Sequence, residues 1–364
     1  MNASYLVDRL EAGALRVLSI GEMAARDAFE SVFIEMPGWV VDSGSRFFWV
    51  YLLAFVVLGA VAYRIHRGAI PGTVPIDAQP SGVRGVLRYL FPRDVYTHRS
   101  AKLDYKLVLA NRAFGPSVLL SRLVLGPLSV TYVATLIQEA LGSLAGKSHT
   151  PSEWGPVSLV AFVIGIALVR DFSTWAVHAL HHRSVLLWEF HKVHHTAEVL
   201  TPLTLYRKHP VYNFFSKVLD IAIVGPFEGV IAFLFLGEPQ PMTLFGANVV
   251  FSAFHLAGSN LRHSHIWLAF GPRVSRIFMS PAGHQIHHSK APQHWDKNFG
   301  EVFALWDWTF GTLYVAGREP EAIEFGVAGA EEEHTTLLRA YFVPFANCAR
   351  IVRDSVRRLQ TRYA

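Results

Sequence analysis

The residues of this chain best suited to chemistry are its histidines. Thirteen of the eighteen lie between His178 and His288, and nine of these form three copies of one pattern, HxxHH. The copies are His178-Ala-Leu-His181-His182, His191-Lys-Val-His194-His195 and His284-Gln-Ile-His287-His288. Side chains at i, i+3 and i+4 leave a helix on one face, so each copy can aim two or three imidazoles at a common point. Neutral imidazole is the commonest metal-ligating side chain. A closed site around one ion uses about four ligands, so eight or more converging histidines imply two metals. HExxH is absent. The single cysteine, Cys348, excludes an intramolecular disulfide framework, a thiolate zinc ribbon and a four-cysteine iron–sulfur cluster. Imidazole ligation suits iron, zinc, copper or nickel, and spacing alone leaves the element open.

Positioning these groups falls to an unusually apolar chain. Its 364 residues are 51% hydrophobic and 17% charged, with a mean hydropathy of +0.28, which marks a membrane protein. The net charge is +5, with basic residues spread through loops beside apolar stretches; that points to anionic lipid headgroups and not to nucleic acid. Residues 1–46 mix Asp, Glu and Arg without an early apolar run, so they read as an interfacial helical segment and not a secretory signal. Residues 47–63 are uncharged and read as a spanning helix. Residues 68–112 turn basic and read as a cytoplasmic loop, with the N-terminus outside. Runs at 157–169 and 123–137 form one expected hairpin, and runs at 218–236 and 242–256 form another, the former interrupted by Asp220 and Glu228. Both hairpins return the chain to the same side, which brings the three HxxHH copies together at a cytoplasmic face. Residues 349–358 read as a basic amphipathic helix on the membrane surface.

The expected fold is therefore all-α: an integral membrane, multi-pass helical bundle with about four to five membrane-embedded helices and a cytoplasmic histidine-rich helical cap. The expected units are residues 1–46, 47–156, 157–315 as the catalytic domain, and a polar tail at 316–364.

The order of motifs carries more. Asp171 precedes His178 and His182; Leu187-Trp188-Glu189-Phe190 leads into His191, His194 and His195; Arg207-Lys208-His209-Pro210 follows; and Ser280-Pro281 opens the segment of His284, His287 and His288. Asn298-Phe299-Gly300 and Trp306-Asp307-Trp308 come last. From about residue 157 to 315 this order resembles the fatty acid hydroxylase and sterol desaturase superfamily of integral membrane proteins. The resemblance implies a non-haem di-iron enzyme that uses dioxygen and two electrons to hydroxylate or desaturate a membrane lipid. It implies metal ligands at His178, His182, His191, His194, His195, His284, His287 and His288, with His181 standing where the family pattern is usually not histidine.

His209, His255, His263 and His265 are further candidates for ligation or for a position behind the ligands. A ligating imidazole usually donates its other N–H to a carboxylate or carbonyl, which makes Asp171, Glu189, Asp307 and Asn298 candidates for that role. No dinucleotide or flavin fingerprint stands in a strand-turn-helix context, so the electrons are expected from an external reductase, ferredoxin or cytochrome. Two other classes compete with the oxygenase: a membrane metal transporter or metal sensor, and a zinc-dependent lipid hydrolase, which lacks an obvious nucleophile motif.

Overall fold

A computed structural model of the chain describes residues 38–42, 45, 47–66, 82–113, 128–146, 152–153, 155–235, 252–256 and 258–363. Its helices, in order, are α1 (Trp49–Ile65), α2 (Gly82–Leu90), α3 (Arg93–Tyr96), α4 (Arg99–Ala113), α5 (Val130–Ala145), α6 (Pro156–Arg183), α7 (Val185–His195), α8 (Pro210–Leu234), α9 (Pro281–His287), α10 (Leu305–Phe310) and α11 (Leu337–Tyr363). Among the described residues there are isolated bridges but no strands. The all-α expectation holds.

α6 carries the first histidines and packs against α7 and α8. Gly155 and Pro156 start it, with Ser158 Oγ accepting from the Gly155 amide, and it runs 28 residues without a break. At 1.5 Å per residue this is roughly 40 Å, enough to cross a hydrocarbon core of about 30 Å and project beyond it. It is the one described helix that is both long and apolar enough for a span by length and composition; α1, at 17 residues, is apolar but shorter. The apolar run expected at 157–169 thus continues through Arg170 and Asp171 to the first histidines. Both charged groups are satisfied where they stand: Arg170 pairs with Glu228 at 3.2 Å, and Asp171 accepts from backbone amides.

α8 lies along α5 and α6. It starts at Pro210, eight residues before the expected apolar arm, and passes through Pro226. Gly225 and Gly229, spaced GxxxG, let α5 approach: a Cβ at Gly229 would stand 2.6 Å from the Ala134 carbonyl oxygen, and one at Gly225 would stand 2.9 Å from Val133. The run at 123–137 is met by α5 from residue 130, while 123–127, most of 242–256 and nearly all of 1–46 lie outside the described residues.

The basic segment expected as a loop at 68–112 is instead helical through much of 82–113. The reason is packing: Leu103 and Leu107 of α4 are buried against Val193 of α7 and Ala340 of α11. That contact ties the basic segment to the helix that carries the middle HxxHH copy.

Candidate metal centre

Ser184 closes α6 and caps α7, its Oγ accepting from the Leu187 amide, so the two histidine-bearing helices meet in a tight corner. α9 begins in the same way: Ser280 Oγ accepts from the Gly283 amide and Pro281 occupies the first helical turn. Ser184 thereby sets the corner between the first two HxxHH copies, Ser280 starts the helix of the third, and all three copies lie together in the fold.

The imidazoles converge as two groups. One contains His178 and His182 of α6, His191 and His195 of α7 and His287 of α9; the other contains His194 of α7, His263, and His284 and His288, which lie in α9 and at its C-terminal end. Within each group one ring nitrogen per histidine lies within 4.8 Å of all the others. His195 Nε2 is 3.2 Å from His182 Nε2 and 3.1 Å from His191 Nε2; His263 Nε2 is 3.3 Å from His194 Nε2 and 3.0 Å from His284 Nε2. Nitrogens bound to one ion at about 2.0–2.1 Å stand roughly 3.0–3.4 Å apart. The groups adjoin: the His195 and His288 rings stack with centroids 4.6 Å apart.

Proton placement supports a metal in the five-histidine group. His178 Nδ1 donates to the Phe299 carbonyl at 2.8 Å, and His287 Nδ1 donates to the Lys297 carbonyl at 2.7 Å. A neutral imidazole has one N–H, so each Nε2 carries a bare lone pair, and both are buried with no hydrogen-bond partner. In the other group both ring nitrogens of His288 are likewise buried and unpartnered. Burial, reinforced by neighbouring imidazoles, holds His191, His194, His195, His284 and His288 well below the usual histidine range. Burial brings His287 down to about 4. The rings are therefore neutral near pH 7, the form that binds metal. An all-imidazole donor set of this size fits two iron ions, and equally two of the other metals that imidazole binds.

The expected carboxylates act one step away. Asp171 accepts from the Val302 and Phe303 amides and from Trp306 Nε1, at 2.9–3.1 Å. Asp307, fully buried, accepts from the Phe299 and Gly300 amides, Trp175 Nε1 and Thr312 Oγ1, at 2.6–3.2 Å. Asn298, at φ 59°, donates to the Gly283 and Tyr314 carbonyls. In these bonds none of the three meets an imidazole. They fold the 296–303 loop, and its carbonyls hold the histidines. Asp296 in that loop, at φ 55°, brings a carboxylate oxygen to 3.5 Å from His182 Nδ1. Glu189 pairs with Lys192 at 2.7 Å and accepts from Asn347 of α11, a packing role.

The other weighed histidines divide. His263 joins the four-histidine group. His181 stands outside both, its Nδ1 2.8 Å from the Val177 carbonyl of its own helix. His209 caps α8 through the Val211 amide and donates to the Tyr341 carbonyl, and His265 contacts the Tyr89 carbonyl. His255 packs edge-on against Tyr51.

Two contributors left no sequence signal of their function. Arg207, 2% exposed, reaches the Val193 and Thr196 carbonyls at the end of α7 and pairs with fully buried Asp104 at 2.9 Å. Gln285, inside the third HxxHH copy, donates to the Leu261 and Ile266 carbonyls and so clamps the turn that carries His263. Only the Arg207 motif was visible beforehand, and not what it holds.

Two cavities touch the histidines. A space of about 300 Å³ touches His182, His195 and His287 and is bounded by Trp188, Trp295 and Lys290. A small space of about 40 Å³ touches His178, His191, His194, His263 and His284. It shares Thr174 and Glu301 with a cavity of about 440 Å³ lined by Val130 and Val224 of the apolar helices and also by Arg170, Asp171, Asp220 and His255.

Comparison with known proteins agrees with this geometry. Residues 163–312 match the fatty acid hydroxylase family. The chain is 32% identical to ornithine lipid hydroxylase OlsE of Rhizobium tropici over 200 residues, 54% of this chain and 53% of that one. It is 26% identical to alkylglycerol monooxygenase of Caenorhabditis elegans over 166 residues, 44% of this chain and 28% of that one. The matched region thus spans about half or less of these curated relatives. No solved structure matches the chain significantly. All three HxxHH copies and the loop that orients them lie inside residues 163–312, so the whole histidine site falls within the segment that matches the fatty acid hydroxylase family.

Proposed function

We propose that the chain is a membrane-bound non-haem di-iron oxygenase that hydroxylates a C–H bond of a lipid. The balance is one C–H bond and one dioxygen, with two electrons and two protons from outside, giving one alcohol and one water. The observation that carries this reading is the pairing of two imidazole groups, five and four strong, inside the segment that matches the fatty acid hydroxylase family. A relative named as a lipid hydroxylase and another named as a monooxygenase support the same class of reaction. Two bound irons would supply the redox chemistry that dioxygen and an unactivated C–H bond require.

The chain's own residues hold, orient and shield. His178, His182, His191, His195 and His287 hold one ion; His194, His263, His284 and His288 hold the other. The carbonyls of Phe299 and Lys297 fix the tautomers of His178 and His287, which raises their basicity as ligands. Tyr212 stacks on His191 with centroids 4.8 Å apart and, with Trp188 against His182, walls the rings from water. The lipid approaches from the apolar helices through the cavity at Thr174 and Glu301. The external electron donor, a reductase, ferredoxin or cytochrome, docks at the separate cavity bounded by Trp188 and Trp295. In this reading α1, α5, α6 and α8 lie in the membrane, the histidines stand on its cytoplasmic side, and residues 157–315 form the catalytic unit. A metal-transit site would space its ligands along a path, whereas here nine converge in one volume.

The test is lipid mass spectrometry on cells producing the intact chain or its His287→Ala, His288→Ala variant, grown under isotopically heavy dioxygen. The reading requires a lipid that gains one heavy oxygen atom with the intact chain only. A lipid that instead loses two hydrogens would make the chain a desaturase, and identical lipids in both would refute the oxygenase.

A further inference from the structure

α11 has two unlike faces. One is packed: Ala340, Pro344 and Asn347 are buried, with Asn347 Nδ2 donating to Glu189 of α7 at 2.7 Å. The other carries Leu338, Phe342, Phe345, Ala349, Val352, Val356 and Leu359, an apolar stripe in strict 4-3 alternation. Such spacing keeps one seam of a helix aligned along its whole length. The six large side chains of that seam are 47–70% exposed. The stripe runs well beyond the amphipathic segment expected at 349–358. It is continuous with exposed Val185 and Leu186 at the start of α7, because Cys348 Sγ lies 3.4 Å from the Leu186 carbonyl.

The charge of the same helix says what the stripe fits. α11 contains Arg339, Arg350, Arg353, Arg357, Arg358 and Arg362 against one acid, Asp354, so six minus one gives a formal +5. At 100° per residue, Arg339, Arg353 and Arg357 border one side of the stripe and Arg362 the other. If two copies paired along the seam, Arg353 and Arg362 would fall at the flanking positions where coiled coils place opposite charges, and there is no acid to receive them. An anionic bilayer surface receives both features at once, with the apolar stripe in the acyl boundary and arginine stems reaching back to the headgroups. We propose that α11 lies in the plane of a membrane surface containing anionic lipid, its Leu338-to-Leu359 stripe downward, and that this seats α7 and its three ligand histidines at a fixed height above the bilayer. The inference does not depend on the reaction catalysed.

The test uses the full chain reconstituted in vesicles of phosphatidylcholine with phosphatidylglycerol. On a Cys348→Ser background, single cysteines at Val352→Cys and Val356→Cys on the stripe, and at Thr361→Cys on the far face, carry an environment-sensitive fluorophore. Nitroxide-labelled lipid should quench the two stripe positions at least about twofold more than Thr361→Cys, and the difference should shrink in vesicles lacking phosphatidylglycerol. Equal quenching at all three positions would overturn the proposal. So would efficient disulfide cross-linking between copies through Val352→Cys without lipid quenching, which would make the stripe a dimer seam.

Discussion

The two histidine groups draw on the same helices, α7 and α9, yet they are held in different ways. In the five-histidine group, His178 and His287 are gripped directly by loop carbonyls, and His182 stands near the Asp296 carboxylate of the same loop. In the four-histidine group His263 rides on a turn that Gln285 clamps by two backbone hydrogen bonds, at 3.1 and 2.8 Å. One group is oriented by bonds to its rings, and the other by bonds to the backbone beneath a ring. The contrast means that each group has its own support, so the two ions should be separable by mutation although their ligands touch.

The largest expected effect is on the ligands. His263→Ala leaves three imidazoles and should remove the metal of the four-histidine group while the other keeps its own, and the double variant His182→Ala, His287→Ala, which leaves three in the five-histidine group, should do the reverse. Either should lower product formation by more than the roughly 10–100-fold that outer partners cost. Metal analysis beside product assay checks both, and equal loss of both ions in either variant would break the comparison. Next come the supports. Asp307→Asn should weaken metal binding about 10–100-fold in the five-histidine group and spare the other, and Gln285→Leu should do the opposite. Competition with a graded chelator reads the two affinities.

Arg207→Met should act on both groups alike, because α7 feeds both. It leaves Asp104 buried without its partner and should cost about 3–5 kcal/mol of stability, measured by denaturant unfolding, with the metal ratio unchanged. The smallest effect belongs to His209→Ala, which loses a helix cap worth about 1 kcal/mol and should leave the metal content untouched. A loss of metal in that variant would place His209 nearer the ions than its bonds to Val211 and Tyr341 do.

What was legible before the structure follows from range. Histidines at i, i+3 and i+4 announce themselves locally, so nine candidates stand out in the sequence and the family resemblance selects eight of them; their division into two groups, which splits His194 from His191 and His195, is set by the tertiary fold. His263 arrives beside them only through the 261–266 turn, and a His-Ser-His triplet has no periodicity that reveals a destination. The carboxylates show the same limit. Asp171 lies two helical turns before His178, which suggested a direct bond, but its oxygens turn sideways to the 302–303 amides. The continuous α6 was hidden for a related reason: Arg170 and Asp171 end an apolar run in a hydropathy reading, while α8 and the 302–303 loop neutralise them in space. In the basic segment of 82–113, burial of Leu103 and Leu107 outweighs the Gly, Pro and Arg content that suggested a loop.

The separability of the two groups rests on there being two ions. The most direct measurement is the iron and zinc content of the purified full-length protein, per chain. The account predicts about two iron ions per chain, one for each group of about four imidazoles. One ion per chain, or zinc in place of iron, would contradict it.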